Sequence, residues 1–146
     1  MMNRLLIAIC FIVAFIAFMI DYARAARAED VDIVIDISEQ TMYVQTPFES
    51  FEFEVSTARP GYTTPRGVFK PYMLKPMHYS KKYDNAPMPN SIFFEGGYAI
   101  HATYDIKHLG RPASHGCIRL DPQNAQWLYH LVTEFGKEAT TIYIQD

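Results

Sequence analysis

The sequence is poor in cysteine: Cys10 and Cys117 are the two that occur in 146 residues. It also has no internal repeat, no low-complexity tract, no glycine-rich phosphate loop and no run of like charges. Because it lacks paired Cys or His motifs, the usual set of four clustered zinc ligands is missing. We therefore expect neither a metal nor a cofactor, and a repeat architecture or a phosphate-binding loop is excluded.

The first 28 residues have the pattern of a secretory signal peptide. One basic residue, Arg4, precedes an apolar run from Leu5 to Ile20, and small-x-small sites follow that end at Ala25 and Ala28. We expect cleavage after Ala25 or Ala28 and export to the periplasm, which leaves a mature domain of residues 29–146. Because the apolar run is nearly long enough to span a membrane, a retained N-terminal anchor is the alternative.

The mature chain is long enough for one compact domain with its own core. Removal of residues 1–28 leaves 10 basic and 15 acidic residues, and this net negative charge argues against a nucleic acid as partner. Cys117 is then the single remaining cysteine, so it has no partner for an intrachain disulfide. An isolated cysteine is most often a small buried hydrophobe, and composition alone leaves that reading of Cys117 open.

Alternation of apolar and polar residues predicts a mostly β fold with short strands. The strand over residues 31–38 has one apolar face, and Gly96 and Gly97 suit the tight turn of a hairpin. The predicted strands cover residues 31–38, 41–45, 51–56, 92–94, 98–101 and 140–144.

The stretch from Arg59 to Asn90 is rich in proline, which predicts turns and loops with at least one short strand at Val68 to Leu74. Its aromatic side chains make it unsuitable as a linker. We expect this stretch to fold over the functional site as a wall or lid.

One helix is predicted near the C-terminus. Asp121 is suited to the N-cap, Pro122 to the first helical position and Gly136 to the C-terminal end, with an apolar stripe between them. Many short strands and one main helix together predict a mostly β, sandwich-like domain with mixed sheets.

The densest chemistry lies in one segment that includes His101, His108, Ser114, His115, Cys117 and Arg119. A thiol becomes a strong nucleophile when a base or a positive field converts it to a thiolate. In an extended chain, residues two apart share a face, so Cys117 is expected beside His115 and Arg119. The residues alone thus indicate an exported Cys/His enzyme of the acyl-transfer type and name no substrate.

The other histidines are expected to have no catalytic part. His108 lies in a predicted loop, and His78 and His130 belong to no cluster of reactive side chains. We expect ordinary surface or packing roles for all three.

Three segments of the mature chain resemble the L,D-transpeptidase family, whose catalytic domain is of the YkuD type. They are Asp36–Val44, Thr64–Phe69 (Thr-Pro-Arg-Gly-Val-Phe), and His101 followed after twelve residues by Ser114–Leu120 (Ser-His-Gly-Cys-Ile-Arg-Leu). The resemblance covers most of the mature chain. It implies the mixed β-sheet fold of that family for residues 29–146.

The resemblance implies a role for each residue of the reacting pair. Cys117 is the nucleophile that attacks the carbonyl before the terminal D-alanine of a peptidoglycan stem tetrapeptide, so that D-alanine leaves and a thioester remains. The base is His101 rather than the nearby His115, and the main-chain carbonyl of Ala102 orients its imidazole. This sequence departs from the family at Ala102, where glycine is common, and we expect no strain if its φ is negative.

The resemblance also implies roles for the residues around Cys117. Backbone amides around His115, Gly116 and Cys117 supply an oxyanion hole, and Ser114 and His115 hold the site. Arg119 shapes the site or binds substrate near it, or alternatively pairs with a carboxylate such as that of Asp121.

The acyl acceptor is left open by the sequence. The amine of another stem peptide would give a 3→3 cross-link, the amine of an envelope protein would anchor that protein to the wall, and water would make the enzyme an L,D-carboxypeptidase. A function of another class, a wall-binding module without catalysis, is also kept. The oligomeric state is not predicted.

Overall fold

The computed structural model describes residues 12, 13, 15, 16 and 30–146 of the chain. The predicted signal peptide therefore lies almost wholly outside the described residues. No helix in the described part of the chain combines the length and the apolar character that crossing a membrane requires.

Residues 30–146 form nine strands and one α-helix, arranged in two sheets. The strand order is β3-β2-β1-β9-β4 in the first sheet and β5-β6-β7-β8 in the second. Both sheets mix parallel and antiparallel neighbours, which confirms the predicted mostly β fold with one main helix near the C-terminus. The elements are β1 (Val31–Asp36), β2 (Thr41–Gln45), β3 (Ser50–Glu54), β4 (Gly67–Phe69), β5 (Met73–Ser80), β6 (Ala86–Glu95), β7 (Tyr98–Ala102), β8 (Ile118–Leu120), α1 (Pro122–Phe135) and β9 (Thr140–Gln145).

The alternation of residues in β1 places one of its faces in the core. Val31, Ile33 and Ile35 are fully buried, whereas the residues between them are partly exposed. β1 pairs antiparallel with β2 and parallel with β9, so the apolar faces of three neighbouring strands form one wall of the core.

The second sheet has two differently used faces. One face joins the main core through Ile92, Phe94, Ile100, Ile118 and Leu120. Since successive strand residues point to opposite faces, the residues between these point away from the core. That outer face carries a smaller apolar cluster in which Met88, Phe93 and Ala99 are buried and against which Met73 and Cys117 pack.

Helix α1 begins and ends as its sequence predicts. The Asp121 carboxylate accepts a hydrogen bond from the Gln123 N–H at 2.8 Å, and Gly136 follows the last turn with φ at +95°. The helix contacts β5, β6 and β7, and Trp127 also packs against the rings of Phe51 and Phe53 in the first sheet. Its fully buried side chains are those of Ala125, Leu128 and Val132.

The proline-rich stretch is more regular than the sequence predicts, because β5 and β6 form a long hairpin there. Pro76 lies at a gap in the ladder between β5 and β6, since Lys75 and Met77 are paired and Pro76 is not, and it is tolerated because β5 is an edge strand. Pro87 and Pro89 lie in the part of β6 that pairs with β5 alone, since β7 pairs with β6 only from Ile92 onward. Their missing donors therefore cost no hydrogen bond between strands.

Candidate active site

An open cavity of about 980 Å³ lies on the outer face of the second sheet. Strands β7 and β8 form its floor, and the tip of the β5–β6 hairpin, residues 78–88, forms one wall. The predicted wall from the proline-rich stretch is therefore present as a hairpin. Among the site residues expected from the sequence, those that line the cavity are His101, Ser114, His115, Cys117 and Arg119.

Parallel pairing of β7 with β8 brings the two ends of the reactive segment together. Ile100 is paired with Ile118 and His101 with Arg119, although the connection between β7 and β8 comprises the fifteen residues 103–117. Parallel strands need a crossover of about this length. Cys117 immediately precedes β8, so it reaches the cavity beside the strand that carries His101.

The imidazole of His101 is buried and held as a neutral ring. Its Nδ1 lies 2.7 Å from the carbonyl oxygen of Ala102, and because a carbonyl only accepts, Nδ1 carries the proton and Nε2 is left with a lone pair. Burial, opposed by this hydrogen bond and assisted by the positive charge of Arg119, lowers the pKa of His101 to about 4. Ala102 is not among the residues with positive φ, so its departure from glycine introduces no backbone strain.

The thiol of Cys117 is also in its neutral form at rest. Burial raises its pKa, and this effect outweighs the backbone N–H of Ala99 and the charge of Arg119, which act in the opposite direction. Sγ lies 3.9 Å from the carbonyl oxygen of Gly97. Because the thiol is less acidic and the imidazole less basic than usual, the resting pair is not a thiolate and imidazolium.

Gly116 occupies a position that glycine alone fits. Its φ is +125°, and a Cβ there would lie 2.4 Å from Cε1 of Tyr98 and 2.7 Å from the carbonyl oxygen of Thr63. Its N–H donates to Oγ of the fully buried Ser114 at 2.9 Å, and its carbonyl accepts from Oγ1 of Thr64 at 2.9 Å. The backbone before the thiol is thus fixed from both sides.

This arrangement separates the backbone amides that were expected to share an oxyanion hole. The Gly116 N–H is already engaged by Ser114. In the described chain, outside the strand ladders, the Cys117 N–H donates to no protein group. The amide of the nucleophile itself is thereby left available to a ligand in the cavity.

Thr64 is a supporting residue that the sequence reasoning did not single out. Its hydroxyl accepts from the Ala58 N–H at 3.0 Å while it donates to the Gly116 carbonyl, so it ties the segment before β4 to the loop before β8. Residues 55–59 bond to that loop through the Arg59 N–H, which donates to the Ser114 carbonyl, and to β8 through Ser56 and Arg119, which exchange backbone hydrogen bonds. The signal for Thr64 was its place at the head of the Thr-Pro-Arg-Gly-Val-Phe segment.

His115 stands in the cavity wall within a cluster of aromatic and basic side chains. Nη2 of Arg59 lies 2.7 Å from its Nε2, the Tyr83 ring stacks on it at 4.3 Å, and the Tyr62 ring meets it edge-on at 4.6 Å. Partial burial and then the charge of Arg59 lower the pKa of His115. Because Arg59 donates to Nε2, that nitrogen is not free to act as a base. No sequence pattern predicts this cluster, since its members come from three separate loops.

Arg119 is a half-buried cation in the floor of the cavity. Its closest polar contact is the carbonyl oxygen of Ala113, at 3.5 Å from Nη1. In residues 30–146 the carboxylates that form ion pairs are those of Asp146 with Arg66 and Asp105 with His108, so Arg119 does not pair with Asp121. Burial lowers the pKa of Arg119 from its ordinary value.

Two of the histidines expected to be ordinary lie close to the site. His78 lines the cavity and packs edge-on against Phe93 with ring centroids 5.1 Å apart. His108 is bonded to Asp105 beside the cavity. Among the described residues, no group of three or more Cys, His, Asp or Glu side chains is placed to hold a metal ion.

Fold and site together define a class: a β-rich domain that presents a cysteine and a buried neutral histidine at the floor of an open cavity, as enzymes that act through a cysteine do. The model of the L,D-transpeptidase catalytic domain, YkuD, matches residues 30–144, and the chain belongs to that family. The sequence resemblance is thereby confirmed.

Solved structures of L,D-transpeptidases are similar to this chain. One from Mycobacterium smegmatis is 24% identical with a TM-score of 0.70, and covers 80% of this chain and 59% of its own. One from Stackebrandtia nassauensis is 26% identical, with a TM-score of 0.67 and coverages of 79% and 55%. L,D-transpeptidase 3 from Mycobacterium tuberculosis, in complex with a faropenem-derived adduct, is 21% identical with a TM-score of 0.68 and coverages of 80% and 60%. The chain thus spans less than two thirds of the length of these structures, and no curated protein matches it.

Proposed function

We propose that this domain is an L,D-transpeptidase that acts on peptidoglycan stem tetrapeptides and transfers the acyl group to the amine of another stem, which forms a 3→3 cross-link. The observation that carries the proposal is the geometry of His101. His101, whose Nε2 carries the lone pair, lines the same cavity as Cys117, the single cysteine of residues 30–146. Membership of the L,D-transpeptidase catalytic-domain family supplies the substrate class.

In the first half-reaction, His101 takes the thiol proton as Cys117 attacks the carbonyl before the terminal D-alanine. The peptide C–N bond then breaks, the protonated Nε2 gives its proton to the departing D-alanine amine, and a thioester to the stem remains. The carbonyl oxygen carries negative charge between these events. The Cys117 N–H is suited to stabilise it, and one such donor typically contributes roughly 3 kcal/mol.

In the second half-reaction, the acceptor amine attacks the thioester and loses its proton to Nε2 of His101. The C–S bond breaks, an amide forms, and the proton returns to the sulfur of Cys117. The neutral resting pair suits both steps, because His101 with a pKa of about 4 is unprotonated at neutral pH and so is ready to accept a proton each time.

Two other acceptors use the same acyl-enzyme. The amine of an envelope protein would attach that protein to peptidoglycan, and water would give an L,D-carboxypeptidase. We propose the stem amine as acceptor because it is the reaction for which the family is named. We also propose a periplasmic location, which the signal-peptide pattern of residues 1–28 supports, with a retained N-terminal anchor as the alternative.

The test is mass spectrometry of the products after the purified protein is incubated with disaccharide-tetrapeptide, with Cys117→Ala as control. We expect dimers that have lost one D-alanine, absent from the control. Tripeptide alone would replace the transpeptidase by a carboxypeptidase. No turnover by a protein whose thiol is still labelled by a penem such as faropenem would point to a protein acceptor.

The same labelling tests the remaining class, a wall-binding module without catalysis. We expect Cys117 to be acylated by the penem and His101→Ala to slow that acylation. A thiol that stays inert in the folded protein would contradict the enzymatic function and favour the binding module.

A further inference from the structure

A second cavity, of about 520 Å³, adjoins the first and has a wall rich in arginine. Its basic side chains are those of Arg59, Arg111 and Arg119, and Asp105 is the one carboxylate among its lining residues. We propose that this arginine cavity binds the terminal carboxylate of the donor peptide, the group that leaves with D-alanine. This inference rests on the proposed function, since it specifies how the same site selects its donor.

Arg119 connects the two cavities, because it lines both of them. Its guanidinium is half-buried, has one long hydrogen bond to a carbonyl, and forms no ion pair with a carboxylate of the described chain. Charged groups removed from water are normally paired or fully hydrogen-bonded. A carboxylate that enters from the cavity would supply the missing partner.

The two neighbouring arginines retain donors for the same anion. Arg59 contacts His115 through Nη2, and Arg111 contacts the carbonyl oxygen of Lys107 through Nη2. A guanidinium has five N–H donors, so these contacts leave most of them available. Asp105 is the charge that opposes an anion here: it lines both cavities, and its charge raises the pKa of Arg119 against the larger effect of burial, but its direct partner is His108. Three guanidinium groups against one carboxylate leave the wall positive.

The spacing at the start of β8 fits a peptide whose scissile carbonyl lies at the thiol. Cys117 directly precedes β8 and Arg119 lies within it, and both side chains line the first cavity. Two residues of extended chain correspond to roughly 7 Å. The carboxylate of the terminal residue lies one residue beyond the attacked carbonyl. A tetrapeptide bound with its carbonyl at Cys117 can therefore direct this carboxylate to Arg119, whereas a longer or amidated peptide has no charge at that point.

The decisive variant is Arg111→Gln, since Arg111 is exposed, does not line the cavity that contains Cys117 and His101, and makes one side-chain hydrogen bond, to the Lys107 carbonyl oxygen. Its matched control is Arg66→Gln, which removes an exposed guanidinium outside both cavities. Two donors are compared: the stem tetrapeptide with a free carboxylate and the same peptide as its C-terminal carboxamide. The measured quantity is kcat/KM for release of D-alanine or its amide.

We expect the protein to prefer the free acid, and we expect Arg111→Gln to lower kcat/KM for the acid by about tenfold through KM while the carboxamide is unaffected, because a charge-assisted hydrogen bond is lost. Arg66→Gln should leave both values unchanged. Equal use of acid and amide by the unsubstituted protein would overturn the proposal, as would an equal loss with both donors in Arg111→Gln or the same effect in Arg66→Gln.

A second measurement separates this proposal from the proposed function. Alkylation of Cys117 by iodoacetate and by iodoacetamide compares an anion with its neutral analogue and requires no peptidoglycan. If neither donor is turned over, the acid-to-amide ratio of alkylation rates still decides. It should fall several-fold in Arg119→Gln and stay constant in Arg66→Gln, and a ratio that Arg119→Gln leaves unchanged would overturn the arginine cavity as an anion site.

Discussion

The buried imidazole of His101 should make the stability of the fold depend on pH in a defined window. Its pKa is lowered from 6.5 to about 4, so the folded protein resists a proton that the unfolded chain accepts. Between pH 4 and 6.5 the unfolded state binds more protons than the folded state, so the free energy of unfolding rises with pH in this range. The stability that His101 contributes is therefore lost as the pH falls from 6.5 through 4. Above 6.5 the contribution of His101 is fully present.

The size of this effect follows from the two pKa values. At pH 5 His101 is almost fully protonated in the unfolded chain and almost fully neutral in the folded protein. The free energy of unfolding is therefore about 2 kcal/mol lower at pH 5 than at pH 7.5. Near pH 4 the cost approaches about 3 kcal/mol. The substitution His101→Asn removes the titrating group, and its side-chain amide can still donate to the Ala102 carbonyl.

The assay is urea denaturation followed by the fluorescence of Trp127, the single tryptophan of the sequence. Both proteins are unfolded at pH 7.5 and at pH 5, where the remaining carboxylates and histidines titrate alike in each. We expect the loss of stability on acidification to be about 2 kcal/mol smaller in His101→Asn. Equal losses would refute the reasoning, because His101 would then be protonated in the folded state at no cost.

Three further outcomes follow from the site. The substitution Gly116→Ala should destabilise the protein by about 2–5 kcal/mol in the same urea assay, because it combines a positive φ with a clash against Tyr98; a loss under about 1 kcal/mol would show that the loop can move aside. Thr64→Val leaves a buried N–H and a buried carbonyl without their partner, so we expect about 1–3 kcal/mol of lost stability together with slower acylation, whereas unchanged stability would contradict the bridging role of the hydroxyl. Alkylation of Cys117 by iodoacetamide should accelerate toward alkaline pH without a plateau near neutrality, because burial raises its pKa; a fast plateau at pH 6 to 7 would instead reveal a resting thiolate.

Sequence patterns were sufficient where a local rule acts alone. The period-two alternation of β1 and the capping residues of α1 depend on neighbouring positions, and both elements lie where they were predicted. The β5–β6 hairpin was missed, because proline is a strand breaker unless its missing N–H faces an unpaired side. That condition depends on which strands are neighbours in the sheet, and the sequence around the three prolines of this hairpin does not show it.

The site shows the same division. Cys117, His101 and Gly116 could be named from one segment, since its motif resembles that of the L,D-transpeptidase family. Arg59 and Tyr83 could not be named, because their approach to His115 depends on two loops that fold against a third. Contacts between loops that are distant in the chain leave no periodic pattern in the sequence, so sequence analysis does not detect them.

The parallel pairing of β7 with β8 has a consequence for how such a site can diversify. The base lies next to the last residue of β7 and the nucleophile lies directly before β8, so the ladder between these two strands sets the relative position of the reacting pair. The early part of the connection formed by residues 103–117 can therefore be lengthened or exchanged while the reacting pair stays in register. The arginine cavity takes Arg111 and Asp105 from this connection. Two residues of the proposed anion site thus lie in a segment that is separate from the reacting pair, whereas Arg59 and Arg119 lie outside that segment. Grafting residues 105–112 from one homologue to another is therefore expected to alter donor selectivity while the catalytic pair stays unchanged.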